Sequence, residues 1–210
     1  MPTRRLADVE FEPRKVAIPA NVAALLADAQ QRIDALDNTT RIEIPAFVPS
    51  NFELAYRALA EVNAANLATG RRFIEWGSGI GVVACLASCV GFDAVGIEIE
   101  PKLVGIAREL AVEHGIAVQF ACGSFIPDGV VPRVDWVDGV AWLTTTGHDG
   151  HEELELEPDD FDVVFAYPWP GEEQVIFDLF ADTAAVGSLL LTYHGLDGVR
   201  LQRKVKRSNN

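Results

Sequence analysis

Basic residues are scarce in this sequence: 17 Lys and Arg stand against 31 Asp and Glu in 210 residues, a formal net charge of −14. That balance argues against a large nucleic-acid footprint, which needs a positive surface. Cysteine is scarcer still, with only Cys85, Cys89 and Cys122. Cys85 and Cys89 share one face of a predicted helix, where a disulfide is geometrically awkward. They read as small buried hydrophobes rather than as a redox or metal site. No apolar run is long enough to span a bilayer. Residues 1–14 alternate charges with proline and lack an apolar signal core. These absences together point to a reducing, cytoplasmic compartment and no membrane partner.

What the chain does contain is a hydrophobic fraction of 49%, enough at this length for one domain with a sizeable core. Residues 1–19 read as extended or loosely ordered. A helix is predicted over 21–36, with Val22, Leu25, Leu26, Ala29, Ile33 and Leu36 on one side. A short apolar segment over 41–48 is broken by Pro45. Ser50 and Glu53 form a capping-box pattern ahead of a second helix, whose stripe is Phe52, Tyr56, Leu59 and Val62.

From Arg72 onward the rhythm changes. Strands are predicted over 72–76, 94–98, 116–122, 161–166, 188–193 and 199–205, with helices over 81–88, 101–113 and 172–185. This alternation implies an α/β fold with a doubly wound, mostly parallel sheet and ligands at the C-terminal ends of its strands. A long segment over 126–160 interrupts the pattern. It holds a predicted hairpin over 131–142 and a strongly acidic stretch over 149–160. Such a connection is either functional or disordered. Arg200, Arg203, Lys204, Lys206 and Arg207 read as a solvated strand and tail.

The most informative stretch is Phe73-Ile74-Glu75-Trp76-Gly77-Ser78-Gly79-Ile80-Gly81. It reads as strand, tight turn and helix start, a turn that brings bare backbone close to a ligand. A nicotinamide fingerprint requires a third glycine where this chain has Val82. Glu75, just ahead of the turn, repels a pyrophosphate and suits a ligand with a cationic or hydrogen-donating end.

At these residues the chain resembles class I S-adenosylmethionine-dependent methyltransferases. Glu75-x-Gly77-x-Gly79-x-Gly81 is similar to their first motif, and Val95-Gly96-Ile97-Glu98-Ile99-Glu100-Pro101 to their second. The resemblance implies a Rossmann-like methyltransferase fold with S-adenosylmethionine as cofactor, and Glu98 as the carboxylate on the ribose hydroxyls. Gly123-Ser124 occupies the place of the family's Gly-Asp at the adenine site, with Ser departing from Asp, and Phe125 follows to pack on the ring. The expected cofactor contacts are therefore Glu75, Gly77, Ser78, Gly79, Gly81, Glu98, Ile99, Ser124 and Phe125. Val48-Pro49-Ser50, flanked by Phe47 and Asn51, is similar to a segment that lines the methionine end. On this reading residues 1–210 form a single methyltransferase-like domain. It divides into an N-terminal helical extension (1–70), a cofactor-binding half (71–125), an insert (126–160) and a C-terminal half (161–210).

The fourth strand ends in Tyr167-Pro168-Trp169-Pro170, where amino-group methyltransferases carry Asn/Asp-Pro-Pro-aromatic. Tyr167 at that place argues against transfer to an exocyclic base nitrogen. Two prolines around Trp169 make a rigid shelf, suited to a flat or cationic acceptor. Tyr167, Trp169 and His194 are the expected catalytic residues, with Glu172 and Glu173 as further candidate bases. No metal is expected: His148 and His151 match no strong zinc pattern. The implied activity is in-line methyl transfer to a small molecule or a protein side chain, with nucleic acid disfavoured. Two other readings stay open: a binding module without transfer, and a nicotinamide oxidoreductase, which Val82 and Glu75 oppose. Only a short stretch, 194–210, follows the fifth predicted strand, where members of that family usually have a helix and an antiparallel strand pair; this departure predicts a trimmed, six-stranded sheet whose last strand is antiparallel and exposed. Such an edge invites pairing with a second copy, which makes a homodimer a candidate assembly.

Overall fold

The computed structural model describes residues 6–13, 15–37, 47–131 and 147–206. Its centre is a sheet of seven strands: β1 (Leu6–Asp8), β2 (Arg72–Trp76), β3 (Asp93–Glu98), β4 (Gln119–Cys122), β5 (Val163–Ala166), β6 (Leu189–Tyr193) and β7 (Val199–Lys204). The order across the sheet is β1-β7-β6-β5-β2-β3-β4. Strands β2 to β6 are mutually parallel, and β7 runs antiparallel to β6 and to β1. The helices are α1 (Ala20–Asp37), α2 (Phe52–Ala64), α3 (Val82–Cys89), α4 (Pro101–Glu113), α5 (Gly150–Leu154) and α6 (Glu173–Thr183).

Period-two alternation along the strands sorts the side chains into two cores. Phe73, Val163, Phe165, Leu189 and Leu191 pack on one face with α1 to α4. Ile74, Trp76, Val164, Ala166 and Leu190 pack on the other, with Leu154 of α5 and Ile176, Leu179 and Phe180 of α6. A sheet covered on both faces needs strands that are apolar throughout, and β5 is buried at all four of its positions. Helix α3 lies between the sheet and α1 and α2, and Val82 to Ala87 are buried without interruption. That explains its weakly amphipathic sequence: a helix enclosed all round has no polar face to show.

The sheet has seven strands rather than the expected six, and β7 is not its edge. The N-terminal segment, read as extended or loose, supplies β1 on the outer side of β7, pairing Leu6 with Lys204 and Asp8 with Gln202. Asp8 also receives the Arg200 guanidinium at 2.9 and 3.1 Å and the Gln202 amide at 3.1 Å. Arg203 donates to the Gly187 and Leu67 carbonyls, and Lys204 to that of Ala184. The basic stretch of β7 is therefore tied down rather than simply solvated; Arg207 lies outside the described residues. At the opposite edge Arg108 donates to Phe120 O at 2.6 Å, and Cys122 N donates to Glu153 at 3.0 Å. The edge argument for a homodimer thus loses its basis at β7.

Local expectations shift in two further places. Helix α2 is capped by Asn51, whose side chain accepts from Leu54 N at 3.0 Å, rather than by Ser50. Asn is as good an N-cap as Ser, and one step of register leaves Glu53 to pair with Arg57 one turn on. The acidic stretch starts from a buried residue, while Glu152, Glu153, Glu155, Glu157, Asp159 and Asp160 are exposed. Asp149 is buried and caps α5 through His151 N at 2.8 Å, and His151 is buried with its Nε2 at 3.2 Å from Phe125 O. The hairpin expected over 131–142 and the segment over 41–46 lie outside the described residues, apart from Val131. Among the described residues no helix is long and apolar enough to cross a membrane, and no group of His, Cys, Asp and Glu is arranged to hold a metal ion.

Deleting residues 2–9 removes β1 and leaves the outer side of β7 unpaired. The truncated chain is expected to self-associate more strongly than the full chain in sedimentation velocity at matched concentrations; equal behaviour would show that β7 needs no cover.

Candidate active site

The C-terminal ends of β2, β3, β4 and β5 open into one cavity of about 400 Å³, within the range of small-molecule sites. The turn after β2 forms its centre. Gly77, Gly79 and Gly81 have φ of +68°, +53° and +75°, values that a side chain strongly disfavours. A Cβ on Gly77 would meet no atom within 4 Å, one on Gly79 would lie 2.8 Å from the Phe47 ring, and one on Gly81 would lie 2.4 Å from Phe120 Cζ. The three glycines therefore do different work. Gly77 leaves open space at the cavity, Gly79 lets Phe47 close over the turn, and Gly81 packs α3 onto the sheet. Gly81 does not line the cavity.

Two buried carboxyl groups hold the turn. Glu98, at the end of β3, accepts from Gly79 N at 2.8 Å and from Glu100 N at 2.9 Å. Glu75 points to the opposite face from Trp76 and accepts from Ala84 N at 2.8 Å. It thereby caps α3, whose N-cap Gly81 has no side chain to do so. Burial pushes the Glu75 carboxyl well above its ordinary range; the Ala84 N–H opposes this and the nearby Glu98 adds to it. Burial likewise raises Glu98, against the backbone N–H groups that favour its ionised form.

On the other face of the sheet Trp76 and Phe125 stack in parallel, with centroids 5.3 Å apart and planes 7° from coplanar. Ser124 is buried; its hydroxyl accepts from Ile126 N at 3.0 Å, and its backbone pairs with His148 O and Gly150 N. The shorter Ser thus serves its own turn, and Asp149, brought alongside it by a parallel bridge, anchors the returning insert through Asp128 N at 2.9 Å. Glu75, Gly77, Ser78, Gly79, Glu98, Ile99, Ser124 and Phe125 all line the cavity, as do Tyr167, Trp169 and Glu172. Val48, Pro49 and Ser50 complete the wall beside Phe47.

His194 does not line it. Its Nε2 lies 2.7 Å from Thr192 Oγ1 and its ring 6.5 Å from that of Phe177, and burial lowers its pKa. The β6 end turns away here through a 3₁₀ turn at Gly195–Asp197, which a count of strand residues does not foresee. Sequence reasoning also missed Trp76, Leu103 and Ile176, all on the cavity wall. Position parity on β2 was the signal for Trp76: it sits one residue past Glu75 and faces the other way.

No family model and no curated protein matches this chain. Solved structures match by shape. An RNA methyltransferase from Salinibacter ruber in complex with S-adenosyl-L-homocysteine superposes with a TM-score of 0.53 at 20% identity, covering 78% of this chain and 97% of that one. Cofactor-bound Rv0187 from MTB gives 0.52 at 19%, covering 85% and 66%. The O-methyltransferase from Bacillus cereus in complex with S-adenosyl-L-homocysteine gives 0.51 at 17%, covering 85% and 67%. The chain spans about two thirds of the length of these last two. At such identities the likeness is one of architecture: this chain has the Rossmann-like fold of S-adenosylmethionine-dependent methyltransferases.

Two measurements test the construction of the turn. Gly81→Ala combines a left-handed φ with a contact on Phe120 and is expected to cost about 2–4 kcal/mol in chemical denaturation. Gly77→Ala, with open space around its Cβ, should cost only the backbone part, about 1–2 kcal/mol. The second concerns Glu75. Its folded-state pKa lies above its ordinary value of 4.5, so the folded protein binds more protons in that window than the unfolded chain. Stability is then full below pH 4.5 and falls as pH rises through the raised folded value. Glu75→Gln keeps an acceptor for Ala84 N and should flatten that fall, by up to about 1.4 kcal/mol per pH unit. An unchanged slope would place the titration elsewhere.

Proposed function

We propose that this protein is an S-adenosylmethionine-dependent methyltransferase acting on a small molecule or a protein side chain. One observation carries the reading: Glu98 stands at the end of β3 on the cavity wall, bound to Gly79 N of the glycine turn at 2.8 Å. A carboxylate at that place, roughly twenty residues after the turn, is suited to accepting from a pair of ribose hydroxyls. The rest of the wall fits the same ligand. Gly77 admits a close approach. Phe125 and Ile99 offer apolar surface to a purine. Trp76 Nε1 and Ser78 Oγ, on wall residues, are buried with no hydrogen-bond partner among the described residues. The glutamates suit a positively charged ligand better than a pyrophosphate. The structures of similar shape that contain S-adenosyl-L-homocysteine support the choice.

When bound, S-adenosylmethionine supplies an electrophilic methyl group. The task left to the chain is to bring an acceptor lone pair into line and to exclude water. Phe47 closes over the turn from one side. Tyr167 and Trp169, at the end of β5, stand on the wall where an acceptor would enter. Tyr167 is set edge-on to Tyr193, with centroids 4.7 Å apart, and burial raises its phenol pKa. It therefore acts as a neutral hydrogen-bonding group rather than as a phenolate base. The net charge of −14 opposes a nucleic-acid acceptor.

Calorimetry with S-adenosylmethionine, S-adenosylhomocysteine and NAD separates this reading from its alternatives. Both sulfur ligands should bind and NAD should not. Glu98→Gln, which retains an acceptor for Gly79 N, should weaken both sulfur ligands about tenfold or more. The absence of binding near millimolar ligand would sink the proposal, and binding without transfer to any acceptor in a broad screen would favour the binding module.

A further inference from the structure

We infer that the methyl acceptor is an amine that enters as its ammonium, held by the rings of Tyr167 and Trp169 and by the carboxylate of Glu172. The inference rests on the cofactor reading above and adds the substrate class. Charge comes first. The charged residues among the described cavity lining are Glu75, Glu98, Glu100 and Glu172, with no Lys, Arg or His. A phosphate or carboxylate acceptor would enter against like charge with no cation to receive it, whereas a cation is drawn in.

Placement then separates the glutamates. In the sheet, β5 and β3 flank β2 on opposite sides, so the glycine turn divides the cavity in two. Glu98 and Glu100 lie on the β3 side. Glu75 belongs to β2 itself, on the face toward α3. Glu172 lies on the β5 side, at the N-terminus of α6 and half-buried. It shares that side with Tyr167 and Trp169, and Glu172 N donates to Trp169 O at 2.9 Å. Pro168 and Pro170 restrict the backbone on either side of Trp169. Two aromatic residues and a carboxylate on one side of the cavity supply the chemistry of an ammonium receptor.

An ammonium has no lone pair, so it must lose a proton before it can accept a methyl group. Tyr167 stays a phenol, and His194 is outside the cavity, bonded to Thr192. Glu172 is the group placed to act. One ammonium proton passes to its carboxylate oxygen. The nitrogen lone pair then forms the N–C bond as the S–C bond breaks, with that electron pair remaining on sulfur. The product nitrogen carries the positive charge, and Glu172 returns its proton to solvent.

The test uses the full chain loaded with S-adenosylhomocysteine, whose binding is first measured by calorimetry. Absent binding refutes the cofactor reading, and the inference with it. On the loaded protein, n-butylamine, n-butanol and butyrate are titrated while tryptophan fluorescence is followed, since Trp76 and Trp169 line the cavity. The amine is expected to bind about tenfold more tightly than either control. Glu172→Gln should lower amine affinity about tenfold and Trp169→Leu about fivefold. Both variants should hold the S-adenosylhomocysteine affinity within about twofold, a change of less than 0.5 kcal/mol. A lysine peptide and its acetylated copy form a second arm: tighter binding of the lysine peptide than of butylamine assigns a protein side chain, the reverse a small molecule, and either supports the amine. Butyrate binding as well as butylamine, or unchanged amine affinity in a Glu172→Gln protein that still binds S-adenosylhomocysteine, would overturn the inference.

Discussion

The contact on which the site depends is the 2.8 Å hydrogen bond from Gly79 N to the Glu98 carboxylate. It ties the turn after β2 to the end of β3 and fixes the height of the turn above the sheet. Ser78 N adds a bond to Ile97 O at 2.9 Å, and Gly81 N one to Ser78 O at 2.7 Å. Between these bonds the backbone must take three left-handed steps, which glycine makes without the Cβ clash that other residues suffer. The same glycines leave no side chain between the turn and the cavity. Structural need and ligand access are met by one choice of residue.

Parity along β2 divides the labour of the strand. Phe73 and Glu75 face α3, while Ile74 and Trp76 face α5 and α6. A carboxylate on the α3 side compensates for a helix that begins at glycine. An indole on the other side supports Phe125 and hence the wall beyond β4. Slipping the strand by one residue would bury the acid between two apolar layers and send the indole into the start of α3. The register of β2 against β3, with Glu75 opposite Gly96 and Trp76 opposite Ile97, is thereby held from both faces. Gly96 itself has no room for a side chain, since a Cβ would lie 2.8 Å from both Phe120 and Ser78.

What was legible in the sequence is what depends on neighbours along the chain. The glycine spacing, the acidic strand ends of β2 and β3 and the alternating strands and helices each leave a local trace, and the structure has them in the expected order. What was not legible depends on distant partners. Leu6–Asp8 carries no strand signal in three residues, and it becomes a strand because β7 offers an unpaired edge nearly two hundred positions away. Asp149 and His151 carry no local sign of burial in their acidic surroundings; they are buried because Gly150 docks on Ile97 and pairs with Ser124. His194 read as a site residue because it follows a strand, and the 3₁₀ turn after β6 carries it away.

Two buried carboxyl groups couple ligand binding to folding. Glu75 and Glu98, on either side of the glycine turn, are buried within mutual influence, each raised chiefly by its burial and held by backbone N–H groups. Ionising them in the ligand-free protein costs stability as pH rises. A positively charged ligand acts in the opposite sense, because it favours the ionised carboxylates and lowers their pKa on binding. Linkage then requires its affinity to increase with pH over the window in which the ligand-free fold weakens, and the bound ligand restores stability in proportion to RT ln(1 + [L]/Kd). A neutral analogue that lacks the charge gains nothing from that ionisation, so its affinity should stay level or fall over the same window. No basic residue among the described cavity lining compensates the two buried acids.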